Sequence, residues 1–279
     1  MGKLLDLKFT VDHRLLSVVN MWRTVKALRL SGAQKAALRR TDAVWRKSGK
    51  GSCLICGNGP SLGELSFEDF SSTPAFAANY FYKHPQGDKL NPKHYVIIDG
   101  KITEGIWPVT MIDEIFATFP ETSLFLDVRW LELPVFAPYV KNERIFWIYP
   151  ALFPHAFLKP RRRLDQPLYA LNVVSAIISL STAMGYTGLG IAGVDGDGLF
   201  REILDMQSHF YAGDKDHSMR NFESMVKSLM LSTENLWAWQ GIVKTHRAQG
   251  IHLENLCKGG IMDCMPRVSP ADFLAAGKN

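Results

Sequence analysis

The ten residues CLICGNGPSL, 53–62, run from a short apolar stretch into Gly57, Asn58, Gly59, Pro60 and Ser61. Glycines at 57 and 59 permit positive φ and let a ligand come close to the backbone. Pro60 fixes the turn that follows, and Ser61 can cap a helix or donate to an anion. Free amides at such a loop would favour a phosphate by about 0.3–1 kcal/mol per charge–dipole contact. The same residues also suit a tight strand-to-helix turn that binds nothing. The loop is neither GxGxxG nor GxxxxGK(S/T), which counts against dinucleotide and Walker-type sites.

Other residues have types that could do chemistry. Asp195 and Asp197, in GVDGDG (193–198), form a DxD-like pair that could hold a divalent ion on a diphosphate, meet an acceptor sugar, or cap a turn. A hydroxyl nucleophile needs a base near neutral pH, and histidine is the natural one. His209 and His217 share the loop SHFYAGDKDH (208–217). Asp214 and Asp216 flank His217 and would keep it protonated, whereas the aromatic neighbours of His209 favour the neutral ring, so His209 is the preferred base. The cations of KPRRRLDQP (159–167) could meet a carboxylate, a phosphate or a lipid-linked acceptor, or form a solvated loop. Cys53 and Cys56 are offset by three, which puts them on opposite faces of a strand. They read as core thiols, and neither a metal nor a cofactor is expected.

Positioning these residues requires strands. SCLIC (52–56), AFAAN (75–79), HYVIID (94–99), SLFLD (123–127), RIFWIY (144–149), GLGIAGVD (188–195) and IHLENLC (251–257) are short apolar runs ending at polar or glycine residues. Such runs predict strands buried on both faces, the pattern of a parallel sheet. Helices are predicted over 172–184, where the sequence is apolar almost all round, over 220–249, and after Ser269-Pro270, a cap followed by proline at the first helical position. Strands alternating with helices predict a Rossmann-like open α/β sheet, mainly parallel, flanked by helices. Ligands of such sheets sit beyond the carboxyl ends of the strands, where 57–61 falls.

The chain has 279 residues and a net charge of +5, unevenly placed. Residues 1–50 carry 12 Lys/Arg against 3 Asp/Glu, and the remainder is net acidic. This divides the chain into a basic, amphipathic helical arm (1–50) and a catalytic body (51–279). The arm can pack on the body, touch an anionic membrane through residues 1–47, or do both. No transmembrane run or secretory signal is read, and four cysteines suit a reducing compartment, so the expectation is a cytoplasmic protein, peripheral to the inner face of the membrane. No aromatic–basic platform accompanies the cations, so no nucleic-acid partner is expected.

In this order the motifs resemble those of bacterial sialyltransferases of glycosyltransferase family 42 and the related DUF115-type (MptE-like) proteins. Strand-GNGPSL resembles their opening motif, AANYFY (77–82) their second-strand CNxFY element, and YVIID (95–99) their third-strand end. AMGYTGLGIAGVD (183–195) resembles their LGYKEIYLSGID segment, and SHFYAGDKDH their histidine loop. The resemblance spans roughly residues 52–260. It implies an inverting transfer from a CMP-activated donor, such as a nonulosonate, to a surface-glycan or lipid-linked acceptor. Gly57, Asn58, Gly59, Pro60, Ser61 and Asn79 would hold the donor, with Asp99 standing where the family has a third asparagine. Asn172 replaces the family's threonine as a donor contact or a helix cap, and Gly193, Asp195 and Asp197 complete the set. His209 or His217 would be the base. The family's phosphate-binding tyrosines are missing after Asp195, which leaves Tyr211, the glycine-loop amides, an arginine or a metal to meet the leaving group. Two alternatives remain: an MptE-like pterin pyrophosphokinase using ATP and Mg²⁺, and a non-catalytic nucleotide-binding scaffold.

Overall fold

A computed structural model describes residue 11 and residues 29–151, 160, 162–204, 206–211 and 222–277. The candidate base His217 and most of the arm, including residues 12–28, lie outside the described residues.

All seven apolar runs form strands of one sheet: β1 (Ser52–Cys56), β2 (Ala75–Ala78), β3 (His94–Ile97), β4 (Ser123–Asp127), β5 (Ile145–Ile148), β8 (Gly188–Ala192) and β9 (His252–Asn255). A further pair, β6 (Pro150–Ala151) and β7 (Leu168–Tyr169), makes a two-stranded ladder beyond β5. The sheet order is β5-β4-β3-β2-β1-β8-β9, and every pairing is parallel. The fold is therefore α/β and Rossmann-like, with the chain stepping outward from β1 to β5 before crossing back to β8. The topological switch point lies between β1 and β8.

The strands alternate side chains between two cores, as period-two geometry requires. Leu54 and Cys56 join the core on one face, while Cys53 and Ile55 join the other. The two thiols are thus on opposite faces, and burial pushes both well above the ordinary thiol range.

Helix α1 (Gly32–Trp45) is followed along the chain by α2 (Gly87–Leu90), α3 (Met111–Thr118) and α4 (Val173–Met184). After these come α5 (Gly198–Ile203), α6 (Phe222–Arg247) and α7 (Pro270–Ala276). Nearly every residue of α4 is buried, including Ile177, Ile178, Leu180 and Met184, each contributing about 1.5–3 kcal/mol. Its C-cap Gly185 has φ 109°, a conformation that favours glycine. Helix α7 starts as its sequence signals, with Ser269 capping the amide of Asp272 and proline next.

Part of the basic N-terminal segment is built into the body. Helix α1 lies on edge strand β5, where the Thr41 hydroxyl donates to the Trp147 carbonyl (2.8 Å) and accepts from its amide (3.1 Å). Arg40 donates to the carbonyls of Glu143 and Ile145. An otherwise open sheet edge is covered in this way. Among the described residues no helix is long and apolar enough to cross a membrane.

Candidate functional site

The glycine loop leaves β1 at the carboxyl edge of the sheet and meets the loop leaving β8. The Gly57 amide donates to the Ala192 carbonyl and the Gly59 amide to the Gly193 carbonyl, both at 2.8 Å. A Cβ on Gly57 would lie 2.2 Å from the Gly193 oxygen, and one on Gly59 would lie 2.4 Å from Asp195 Oδ2. Neither residue has positive φ, whereas Gly193 (65°) and Gly196 (72°) do. The glycines at 57 and 59 therefore serve the close approach of two loops, not a left-handed turn.

Asp195 is buried and holds Ser61: its Oδ2 accepts from the Ser61 amide (3.1 Å) and its Oδ1 accepts from the Ser61 hydroxyl. Pro60 opens a 3-10 turn, Pro60–Glu64, which this bond anchors. The loop after β9 closes the third side. The Ile261 amide donates to the Asp195 carbonyl (2.7 Å), and the Cys257 thiol donates to the Ser61 carbonyl (3.3 Å). Arg267 fixes that loop through the carbonyls of Cys257, Lys258, Gly259 and Gly260. The amides of residues 57, 59 and 61 are all engaged within the protein, so none of these three is free for a phosphate.

The other flank, toward β2, is different. Asn58 Nδ2 donates to the Ala78 carbonyl (3.2 Å), which orients the amide, while Asn58 Oδ1 is buried without a hydrogen-bond partner. Asn79 follows β2 with φ 52°, and its Oδ1 is likewise buried and unpartnered. The Tyr95 hydroxyl holds the Asn79 carbonyl at 2.6 Å and thereby pins that conformation. Buried polar atoms normally find partners, and each one left alone costs about 1–3 kcal/mol. Two such acceptors stand at the ends of neighbouring central strands.

Residues 206–211 fold over this flank. The Phe210 amide donates to the Asn58 carbonyl (3.0 Å), and the ring of Phe210 packs on His84 (4.8 Å). Tyr211 lies against Tyr80 (5.3 Å), with His209 stacked on Tyr211 at 5.1 Å. Tyr80 also touches Trp107 (4.9 Å), and Lys83 sits 4.2 Å over the Tyr80 ring. Burial holds the His84 imidazole below its ordinary pKa. Asn58, Asn79, His209 and Tyr211 are thus gathered on one flank.

The remaining candidates take local roles. Asp99 caps a 3-10 turn by accepting from the Lys101 amide (3.0 Å). Asn172 caps α4 in a reciprocal box with Ser175. Asp197 Oδ2 pairs with Arg201 (2.9 Å), while its Oδ1 is buried and unpartnered. Among the described residues no three His, Cys, Asp or Glu side chains gather as metal ligands. A cavity of about 370 Å³ lined by Thr73, Asn91, Lys93 and Glu121 opens at the amino ends of β2–β4, away from all of these.

No family model matches the sequence, and no curated protein does. Solved structures of the sialyltransferase CstII from Campylobacter jejuni are similar to the chain. For its complex with cytidine-5'-monophosphate the identity is 16% and the TM-score 0.45, covering 80% of this chain and 86% of that one. For the complex with CMP-3FNeuAc the values are 15% and 0.47, over 79% and 87%. For the complex with a trisaccharide acceptor and CMP they are 15% and 0.44, over 78% and 86%.

Sequence reasoning passed over one cluster at the same edge. Asp127, the last residue of β4, is buried and accepts from the Arg129 amide (2.9 Å) and from Arg129 Nε (2.9 Å). Burial pushes the Asp127 carboxyl above its ordinary range, and Arg129 offsets this in part. The guanidinium lies 5.9 Å over the ring of Tyr149, whose buried hydroxyl has no hydrogen-bond partner. The available signal was an acid ending an apolar run with an arginine two residues on.

Proposed function

We propose that the protein is a sialyltransferase-like glycosyltransferase that moves a sugar, with a nonulosonate on CMP as the leading donor, to a glycan or lipid-linked acceptor. One observation carries the reading: the unpartnered side-chain oxygens of Asn58 and Asn79, which follow the neighbouring strands β1 and β2, with the loop that bears His209 and Tyr211 bonded to Asn58 through Phe210. A nucleoside offers the amino and hydroxyl donors that two such acceptors lack. The order of sequence motifs around these residues supports the same reading.

In the proposed step His209 takes the proton of the acceptor hydroxyl. That oxygen then bonds to the anomeric carbon as the bond to the CMP phosphate oxygen breaks, inverting the centre. Tyr211, stacked on His209, would donate to the departing phosphate. Asn58 and Asn79 hold the nucleoside. Asp195, Ser61 and the two glycines act behind them by fixing the loop that carries Asn58. Membrane contact through the basic residues before 48 remains part of the proposal, and α1 keeps Lys35 and Arg39 exposed for it.

Scanning calorimetry with CMP and CMP-sugars in the absence of metal tests the donor. Stabilisation by these ligands is expected, and none at all would sink the reading. Stabilisation by ATP only with Mg²⁺ would favour the pyrophosphokinase instead. Asn79→Gly relieves the positive φ, so it should fold at least as well as the parent yet lose the CMP response. His209→Ala should keep the CMP response and lose transfer.

A further inference from the structure

Arg129 is held in an unusual way for a half-exposed arginine. Its Nε and Nη2 edge is occupied by Asp127, whose carboxylate is only 1% exposed, while the arginine side chain is 49% exposed. The Nη1 end makes no hydrogen bond or ion pair among the described residues. The face of Tyr149 lies below, and its hydroxyl is a buried donor with nothing to bond. A carboxylate behind, a ring beneath and an open end in front make a pre-oriented fork, the form in which arginine binds planar or tetrahedral oxyanions. A pair serving only to cap the turn Val128–Trp130 would need the Arg129 amide and not the guanidinium, since Asp127 already caps that turn.

The location adds to this. Arg129 follows β4, two strands from β2, and parallel strands are spaced about 4.8 Å apart, so about 10 Å separates the Asn79 strand end from this one. The amides of residues 57, 59 and 61 are engaged within the protein, so those three are not free to meet an anionic substrate.

We propose that the open Nη1/Nη2 end of Arg129 is an oxyanion-binding subsite for the substrate, taking either its phosphate or its sugar carboxylate. In naming a nucleotide-sugar as the source this rests on the glycosyltransferase reading; the receptor geometry does not. Asp127 is a positioning residue that keeps the fork facing outward.

The test uses the full chain and the Arg129 Nε–H resonance, assigned by its loss in Arg129→Lys. Inorganic phosphate or acetate should shift it saturably. CMP shifting it where cytidine does not identifies the phosphate as the source, and N-acetylneuraminate shifting it identifies the carboxylate. Arg129→Gln should weaken the responsive ligand about tenfold or more while leaving cytidine unchanged. Asp127→Asn/Arg129→Gln removes both charges together, avoids a lone buried carboxylate, and should show the same loss. No anion moving the resonance, or the folded double variant binding CMP and N-acetylneuraminate like the parent, overturns the proposal. Anions that bind at Arg129 while cytidine nucleotides fail to bind leave it standing and remove the glycosyltransferase reading.

Discussion

Asp195, just past β8, binds Ser61, just past β1, through both its carboxylate oxygens, one to the backbone amide at 3.1 Å and one to the hydroxyl. The bond closes the switch point of the sheet and turns the Asn58 loop toward β2. Hydrogen bonds to a charged group are worth about 1.5–3 kcal/mol each. Asp195→Ala should therefore lower unfolding free energy by about 3 kcal/mol in urea, and Asp195→Asn, which keeps one acceptor, by less. An unchanged urea midpoint in Asp195→Ala would show that the clamp contributes nothing.

The glycines make a second prediction. A methyl on Gly57 would press on the backbone oxygen of Gly193 at 2.2 Å, and backbone cannot swing aside as a side chain can. Gly57→Ala should cost about 1–3 kcal/mol by overpacking. Gly63, in the same turn, has nothing within 4 Å of its would-be Cβ. Gly63→Ala should be neutral or slightly stabilising. Equal melting temperatures for the two variants would contradict the close-approach account.

His94 gives the protein a pH dependence of known sign. It is 1% exposed, packed among Trp45, Phe76 and Phe125, and burial lowers its pKa to about 3. The unfolded chain, with a histidine pKa near ~6.5, binds the proton first. Stability from this group is full above about 6.5 and is lost as pH falls toward about 3. His246 and His84, also lowered by burial, act in the same direction. Urea midpoints between pH 7 and 4 should fall less steeply in His94→Phe than in the parent; parallel slopes would exclude His94 as a source.

The sheet was legible because a strand buried on both faces writes itself as an unbroken apolar run, and all seven such runs became strands. The cap of α7 was legible for a similar reason, since capping is settled within four residues, Ser269 with Asp272; Asn172 read equally as a donor contact, and only the structure shows it closing a capping box with Ser175. The pair β6 and β7 was not, because two residues carry no period.

Local chemistry determined which residues could end a strand, start a helix or carry a proton, and the sequence holds that information within a few positions of each. Tertiary structure decided what each of them faces. Gly57 and Gly59 read equally as a ligand loop or a bare turn, and what approaches their Cα atoms is Gly193 and Asp195, more than 130 residues away in the chain. Asn58 and Asn79 lie about 20 residues apart, yet only the parallel pairing of β1 with β2 brings their unpartnered oxygens to one edge. Arg129 could not be told from any surface arginine until the sheet buried Asp127 behind it, because burial and the direction of a free donor belong to the packed chain.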